Sequence, residues 1–221
     1  MEKIIYRNDI VEYLNFLSEE ECKTLVDYYI SGEDGWQKTC FYNSAVMDPI
    51  HPYNKNPETK INHDFFINLK ARLHEKAEEV AGRKLKNLSM SAHKWEVGAY
   101  ASDHSDNTDL DGTPNAWQDN KFVTIIYLND NYEGGHLTFK NHNLDIAPQK
   151  GSLVAFDPGF DNLHGVTEIV SGTRYTMLLS WDHDDRTYSQ EEIRAMQDQK
   201  IREKEIQDKQ KEEWEKGNKY A

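Results

Sequence analysis

The sequence predicts a mostly β domain of antiparallel strands, with helices before it and one charged helix after it. From residue 84 to about residue 185 the chain carries short β-like runs with no helical pattern between them. Gly, Pro, Asn and Asp separate these runs, as turns separate the strands of an antiparallel sandwich or barrel. We therefore expect one domain at residues 1–185, with a helical part at 1–83 and a β core at 84–185, and a helical tail at 186–221.

Length, charge and cysteine content limit the class of protein. The 221 residues suffice for one sizeable core. The net charge of −13 argues against a non-specific nucleic-acid binder, which needs a basic face. Cys22 and Cys40 are the only cysteines, so neither a disulfide framework nor a cysteine zinc site is expected. With no signal-peptide pattern and no apolar run near the ~20 residues of a membrane span, we expect a cytoplasmic protein without membrane contact.

Two helices are predicted in the first third of the chain. Ser18 and Glu21 form a capping-box pattern that starts the first helix. Residues 31–60 are rich in Gly, Pro and Asn and should be largely loop. The second helix should begin after an N-cap at Asn62 and stop at Gly82. Its apolar stripe, which we expect to pack into the core, consists of Phe65, Phe66, Leu69, Leu73, Ala77 and Val80.

The predicted strands and the tail complete the chain. The β-like runs are LSMSAHKWEV, KFVTIIYL, HLTF, NLDIA, SLVAF, HGVTEIV and TRYTMLLSW. The tail opens with a second capping box, Ser189 and Glu192, and its few apolar residues do not keep a heptad spacing. A solvated helix, a dimer contact that would make the protein an oligomer, and a docked helix all fit this pattern.

The segment ASDHSDNTD raises the question of a metal site. His104 and Asp106 are two residues apart, so on a strand their side chains would point to the same face. A solvated acidic loop is the alternative, and a site needs a third ligand. His136, His142 and His164 are available downstream, and His164 stands out because it opens a strand-like run after a turn-rich stretch. Two histidines and one carboxylate on one side of an ion form the facial triad of non-haem iron(II) oxygenases, which leaves positions for a 2-oxo acid and dioxygen.

A 2-oxo diacid also needs a cation for its second carboxylate. Arg174 lies ten residues after His164 in the last strand-like run, and its fork can bind a carboxylate through two nitrogens. Strand alternation places Arg174 on one face with Thr176, Leu178 and Ser180. An inward arginine is costly without an anion, although an internal Asp or Glu would satisfy it equally well.

These motifs, taken in order, resemble the 2-oxoglutarate/iron(II) dioxygenases, and the prolyl 4-hydroxylase-like branch most closely. The similar segments are NFLSEEECKTLV, FVTIIYLNDNYEGGHLTF, PQKGSLVAF and HGVTEIVSGTRYTMLLSW, which together span about residues 10–185. The resemblance implies a double-stranded β-helix, or jelly roll. It assigns iron to His104, Asp106 and His164, and the far carboxylate of 2-oxoglutarate to Arg174 and Tyr127, with Thr176 as a further candidate.

The resemblance also implies a reaction. We expect hydroxylation of a peptidyl residue in a peptide or protein, with proline as the leading candidate, coupled to decarboxylation of 2-oxoglutarate to succinate and carbon dioxide. Ascorbate is a candidate reductant. A hydroxylase of free amino acids or other small molecules is the second hypothesis, and a non-catalytic jelly-roll binding module is the third. Nucleic acid and membrane are not expected partners.

The substrate side departs from the family pattern. Tyr100 stands four residues before the first ligand, where the family usually has tyrosine three before it, and Trp95 replaces an earlier tyrosine. The segment 107–120 is a candidate lid whose largest apolar side chain is Trp117. Trp95, Tyr100 and Trp117 are thus the expected substrate contacts.

Nearby charges and the remaining histidines receive simpler interpretations. Asp109, Asp111 and Asp119 in the candidate lid favour neutral or basic substrates. The second His-x-Asp, at His183 and Asp185, is expected in a solvated loop after the last strand, and His136 in a hairpin. Surface or helix-face roles are expected for His51, His63, His74, His93 and His142.

Overall fold

The computed structural model describes residues 1–38, 45–48 and 63–215. In these residues the helices are α1 (Glu19–Ser31), α2 (His63–Ala81) and α3 (Gln190–Glu215). The strands are β1 (Glu2–Arg7), β2 (Ile10–Leu14), β3 (Gln37–Lys38), β4 (Ala45–Met47), β5 (Leu85–Trp95), β6 (Ala101–His104), β7 (Phe122–Tyr127), β8 (Tyr132–Gly134), β9 (Leu137–Phe139), β10 (Leu144–Ile146), β11 (Leu153–Phe156), β12 (His164–Val166), β13 (Ile169–Gly172) and β14 (Arg174–His183).

The strands form antiparallel sheets, as predicted. The large sheet has the order β1-β2-β11-β7-β14-β5-β4-β3, and the smaller sheet has the order β10-β9-β12-β6. Strands β13 and β8 pair separately. An apolar cluster joins β7 and β11 of the large sheet to β9 and β10 of the smaller one. The two sheets thus enclose an interior, and the predicted jelly roll, or double-stranded β-helix, is confirmed.

Strand β14 shows how the sheet separates its two faces. Arg174 pairs with Trp95, and Thr176 pairs with both His93 and Tyr127, so these side chains share the inner face. Met177 and Leu179 point the other way into the core under the helices. The predicted common face of Arg174, Thr176, Leu178 and Ser180 follows from this register.

The two N-terminal helices cover the outer face of the large sheet. Ser18 and Glu21 make both hydrogen bonds of the predicted capping box. Leu69 and Leu73 of α2 are buried in the core, and Gly82 ends the helix in the left-handed conformation with φ of 66°. The predicted N-cap Asn62 and most of the predicted loop at 31–60 lie outside the described residues.

The description of residues 1–83 as a helical part is corrected by the structure. Strands β1 and β2 form a hairpin, and β2 pairs with β11 in the large sheet. Strand β1 is largely exposed, whereas the first four residues of β2 are all buried, and Asn8 and Asp9 between them are a turn signal that sequence inspection passed over. The hairpin therefore extends the large sheet beyond the predicted core.

Helix α3 lies against the domain rather than standing free over its first half. Its capping box is formed, with Ser189 N donating to Glu192 at 2.8 Å. Met196 is buried, and Lys200 pairs with Asp119 at 3.0 Å. Of the three interpretations of the tail, these contacts favour the docked helix. Among the described residues, no helix combines the length and apolarity needed to cross a bilayer.

Candidate active site

Three side chains predicted as metal ligands meet at one end of the smaller sheet. His104 ends β6 and His164 begins β12, and the two residues are paired across these strands. Asp106 follows β6, where its amide donates to the Pro158 carbonyl at 2.9 Å. Its Oδ1 lies 3.4 Å from His104 Nε2 and 3.5 Å from His164 Nε2, and one ligand atom of each residue lies within 4.8 Å of the others.

These spacings fit a shared metal ion. Two ligands at roughly 2.1 Å from one ion and at right angles to each other lie about 3 Å apart. Two imidazole nitrogens and one carboxylate oxygen suit iron(II). The structure therefore brings together the expected ligand set, while its role in binding iron stays a prediction.

A backbone carbonyl orients each of the two histidines. His104 Nδ1 lies 2.7 Å from the Ser102 carbonyl, and His164 Nδ1 lies 3.1 Å from the Asn162 carbonyl. A carbonyl oxygen only accepts, so each Nδ1 carries a proton and each Nε2 is the ring atom turned towards Asp106, where a metal would replace any proton on it. Such backbone acceptors orient ligand histidines and increase their basicity.

The cluster holds its carboxylate in the charged form. Burial acts to raise the pKa of Asp106, but hydrogen bonds and charge from His104 and His164 outweigh burial and lower it. Asp106 in turn raises the pKa of His104 against the effect of burial. An anionic Asp106 beside two histidines supplies the negative charge that a bound divalent cation would need.

Arg174 is the second element of the site. It is 1% exposed, and its Nε and Nη1 make no hydrogen bond in the described part of the chain. Its guanidinium lies over the rings of Trp95 and Tyr127, at 5.1 and 5.0 Å from their centroids. No described carboxylate pairs with it, which removes the alternative of an internal ion pair within that part of the chain. A buried cation in this state is suited to an anionic ligand.

Two tyrosines complete the surroundings of Arg174. The hydroxyls of Tyr127 and Tyr132 are buried without a hydrogen-bond partner among the described residues. Burial raises the pKa of Tyr127 to about 12 and also raises that of Tyr132, in each case against the opposing charge of Arg174. Both phenols therefore stay protonated and can donate to a carboxylate. Thr176 is buried beside Tyr127. Tyr132 was missed because its run, NDNYEGG, looks like an ordinary hairpin turn.

Glycine at position 135 gives Arg174 room. A Cβ there would lie 3.0 Å from Arg174 Cδ and 2.5 Å from Ile169 Cδ1. Gly135 also has φ of 67°, which other residues rarely adopt. The Gly-Gly pair of the hairpin thus serves packing around the arginine as well as the turn.

His93 corrects an expectation, because it does not have a surface or helix-face role. It lies on the inner face of β5, stacks on Trp95 with centroids 6.4 Å apart, and contacts Ser91 Oγ through Nε2 at 2.8 Å. Burial, then the charge of Arg174, lowers its pKa to about 4, and Asp106 acts in the opposite direction. The charges of both Arg174 and Asp106 therefore act on His93. Only the register of β5 against β14 reveals this.

The three expected substrate contacts lie in different environments. Trp95 is 6% exposed and packs against Arg174, so it faces the interior around the arginine rather than solvent. Tyr100 and Trp117 are exposed by 53% and 36% and are accessible to a larger molecule. Their role in binding substrate stays a prediction.

Hydrogen bonds hold the candidate lid next to the candidate metal ligands. Asn107 Nδ2 donates to the Asn120 carbonyl at 2.7 Å, and Asn115 Nδ2 donates to the Asp106 carbonyl at 3.2 Å. Asp119, expected to favour basic substrates, is already balanced by Lys200 at 3.0 Å. Its contribution to substrate choice is therefore smaller than its charge suggests.

The other histidines of the described chain lie outside the cluster. His136 pairs with Asp145 at 2.7 Å in the hairpin, as expected of a residue that is not a ligand. His142 contacts Asn162 at 2.7 Å, and His74 stacks on Trp181. His183 is the last residue of β14 rather than part of the loop after it, because it still pairs with Leu85, the first residue of β5. His51 lies outside the described residues.

Comparison with known proteins gives a consistent result. Residues 90–181 match the family model of the 2OG-Fe(II) oxygenase superfamily. Prolyl 3-hydroxylase 1 of Gallus gallus is 32% identical over 87 residues, which are 37% of this chain and 12% of that protein. Prolyl 3-hydroxylase 3 of Homo sapiens is 35% identical over 88 residues, which are 34% of this chain and 12% of that protein. The chain thus spans about an eighth of the length of these relatives.

A solved structure resembles the fold over most of the chain. The viral collagen prolyl hydroxylase of Paramecium Bursaria Chlorella virus-1 superposes with a TM-score of 0.52 at 20% identity. The match covers 79% of this chain and 95% of that chain. At this identity the likeness concerns the fold.

Proposed function

We propose that this chain, whose residues 90–181 match the family model of the 2OG-Fe(II) oxygenase superfamily, hydroxylates a peptidyl residue, with proline as the leading candidate. The family implies Fe(II) and 2-oxoglutarate, in agreement with the cofactors expected from the sequence. Activity, substrate and partners of the whole protein are part of the proposal.

One observation carries the proposal above the others. The described chain holds a buried arginine without a carboxylate partner, and also a cluster of two histidines and one aspartate that could hold a metal ion. His93, which pairs with Thr176 on the inner face, is within electrostatic range of both Arg174 and Asp106. A 2-oxo diacid needs two such groups, because a metal binds its 2-oxo acid end and a cation binds the carboxylate at its other end.

When bound, Fe(II) and 2-oxoglutarate supply with dioxygen an oxidative decarboxylation that yields succinate and carbon dioxide and inserts one oxygen atom into a substrate C–H bond. His104, Asp106 and His164 would hold the metal from one side and leave its other side open. Arg174 and the hydroxyl of Tyr127 would orient the far carboxylate.

The enclosing walls have a separate task, which is to exclude water. Phe139 and Phe156 pack against His164, with Phe156 at 4.9 Å between ring centroids. Tyr100 and Trp117, whose side chains are exposed, are the proposed contacts through which substrate would approach. Exclusion of water protects the reaction from unproductive turnover.

Proline as substrate is supported by the relatives. The matched curated proteins are prolyl 3-hydroxylases, and the superposed viral structure is a collagen prolyl hydroxylase. The exposed aromatic side chains of Tyr100 and Trp117 suit contacts with a peptide more than with a small acid.

The deciding experiment incubates the purified protein with Fe(II), 2-oxoglutarate and ascorbate, together with proline-rich peptides or with free amino acids. We expect succinate formation and addition of one oxygen atom to a peptide. Hydroxylation of free amino acids alone would shift the assignment to a small-molecule hydroxylase. Metal binding without succinate in any mixture would favour a binding module.

Replacement of the carboxylate ligand provides the first prediction. Asp106→Ala should reduce succinate formation to background, because it removes a metal ligand and the carboxylate that faces both histidines. The matched control is Asp145→Ala, which removes a carboxylate from another His–Asp pair, at 2.7 Å, far along the chain. The control should keep wild-type turnover. Normal turnover in Asp106→Ala would remove Asp106 from the site.

A further inference from the structure

The two oxygens of Asp106 have different neighbours. Oδ1 faces Nε2 of both His104 and His164, at 3.4 and 3.5 Å. Oδ2 points away from them and accepts a hydrogen bond from Asn120 Nδ2 at 3.0 Å. The two carboxylate oxygens therefore have different surroundings: Oδ1 faces the two histidines, and Oδ2 accepts a hydrogen bond from an amide.

Asn120 is itself held in place. It is 8% exposed and lies immediately before Lys121 and β7. Its backbone amide donates to the Trp117 carbonyl at 2.8 Å, and its carbonyl accepts from Asn107 Nδ2 at 2.7 Å. A carboxylate only accepts, so Nδ2 must be the atom that faces Asp106. The Asn120 Oδ1 is buried without a hydrogen-bond partner in the described chain. Within that part of the chain, the bond to Asp106 is therefore the only hydrogen bond of the Asn120 side chain.

The neighbouring residue connects this contact to the C-terminal helix. Asp119 pairs with Lys200 of α3 at 3.0 Å, and Met196 of the same helix is buried. The loop end that carries Asn120 is thus fixed on one side by the helix and on the other by the start of β7.

We propose that Asn120 is a positioning residue that makes Asp106 a one-oxygen metal ligand. The hydrogen bond removes Oδ2 from the metal and directs Oδ1 towards it. Without the amide, the carboxylate is free to turn and offer both oxygens, which would occupy a coordination position that a chelating 2-oxo acid needs. This inference rests on the proposed function, because it assumes that Asp106 binds the metal.

The test measures metal binding directly. Mn(II), used as a redox-stable substitute, is titrated into the metal-free full-length protein, and free Mn(II) is followed by electron paramagnetic resonance. Asn120→Ala should raise the dissociation constant for Mn(II) by about 10–100-fold, the usual effect of losing such an orienting contact. Bound Co(II) should also show a changed visible absorption spectrum, which reports ligand number and geometry.

Shape and fold are controlled separately. Asn120→Leu keeps a similar side-chain shape without a donor, and it should weaken Mn(II) binding as Asn120→Ala does. Asn141→Ala removes an asparagine that bonds a backbone carbonyl at 3.2 Å on the surface, and it should bind Mn(II) like the wild type. Thermal unfolding in EDTA checks that each variant is folded. If Asn120→Ala does not fold, Asn120→Leu alone decides.

The outcomes separate the inference from the proposed function. Wild-type affinity and an unchanged Co(II) spectrum in Asn120→Leu would overturn the positioning role. So would equal weakening by Asn107→Ala, which removes the bond to the Asn120 backbone and a longer one from Ser105 Oγ but leaves the Asn120 amide in place, because the effect would then come from the loop. If Asp106→Ala binds Mn(II) as tightly as the wild type, the metal site itself is wrong.

Discussion

Arg174 lies between two aromatic rings on the inner face of β14, with two donor atoms that make no hydrogen bond in the described chain. Taking a cation out of water without an anion destabilises the folded state. The cost persists in the absence of ligand, so the residue is better explained by binding than by stability. The same reasoning applies to the buried hydroxyls of Tyr127 and Tyr132.

This environment gives a prediction with an unusual sign. Arg174→Met keeps much of the side-chain volume but removes the charge, so the melting temperature without ligands should be unchanged or higher. The Michaelis constant for 2-oxoglutarate should rise at least tenfold, because the carboxylate loses a charged, two-point contact worth about 1.5–3 kcal/mol. Differential scanning fluorimetry and initial rates measure the two effects.

Arg83→Met is the matched control for Arg174. Arg83 is an exposed arginine that pairs with Asp185 at 2.6 Å. Its replacement should leave the Michaelis constant for 2-oxoglutarate unchanged. A large loss of stability in ligand-free Arg174→Met, with no change in that constant, would instead indicate a structural arginine.

At the scale of elements, helix α3 is the least expected contact of the site. Its charged composition allows a solvated tail. Met196 is buried, however, and Lys200 pairs with Asp119, which precedes the Asn120 that bonds to Asp106. We keep as a proposal that the catalytic domain comprises residues 1–185 and that 186–221 is an added element. The contacts indicate that this element supports the segment 107–120.

Reversal of one charge tests this support. Lys200→Glu places a negative charge beside Asp119, so amide hydrogen exchange in residues 107–120 should become faster. The melting temperature should fall only slightly, because a partly exposed ion pair contributes about 0.2–1 kcal/mol. Lys204→Glu makes the same charge change at an exposed position of α3 and should leave the exchange unaltered. Equal exchange in both variants would contradict the support.

At the scale of the whole molecule, the site joins distant parts of the chain. The candidate ligands come from β6, the residues after it and β12, whereas the arginine comes from β14. The unfolded chain does not hold these groups together, so metal and 2-oxoglutarate should bind the folded state alone. Binding of this kind stabilises the fold by mass action.

The order of ligand addition is therefore predictable. Mn(II) at one hundred times its dissociation constant should stabilise the fold by about 2.7 kcal/mol. That corresponds to a rise in melting temperature of roughly 5–11 °C for a domain of this size. Under anaerobic conditions, 2-oxoglutarate should add a further rise only when metal is present. Pyruvate, which lacks the far carboxylate, should add much less, and an equal rise with both acids would contradict the role of Arg174.

The sequence by itself predicted the chemistry of the site. Metal binding restricts the ligands to a few residue types, and the spacing of His104, Asp106, His164 and Arg174, together with the resemblance of the surrounding motifs, led to their proposal. Strand and helix patterns were equally informative, because burial of one face of an element makes apolar residues recur at a fixed spacing in the local sequence. The β core and α2 follow from such patterns, although HGVTEIV divides between β12 and β13.

Only the tertiary structure decided how the site is supported. His93 and Tyr132 are ordinary residues in the sequence, and they face Arg174 because of strand register and hairpin geometry. Asn120 reaches Asp106 across fourteen positions because the loop between them folds back. Hydrogen-bonded asparagines and inward-facing histidines have no pattern of their own, since their meaning depends on what lies opposite. Local periodicity therefore predicts the elements and the ligands, and long-range packing selects the residues that orient them.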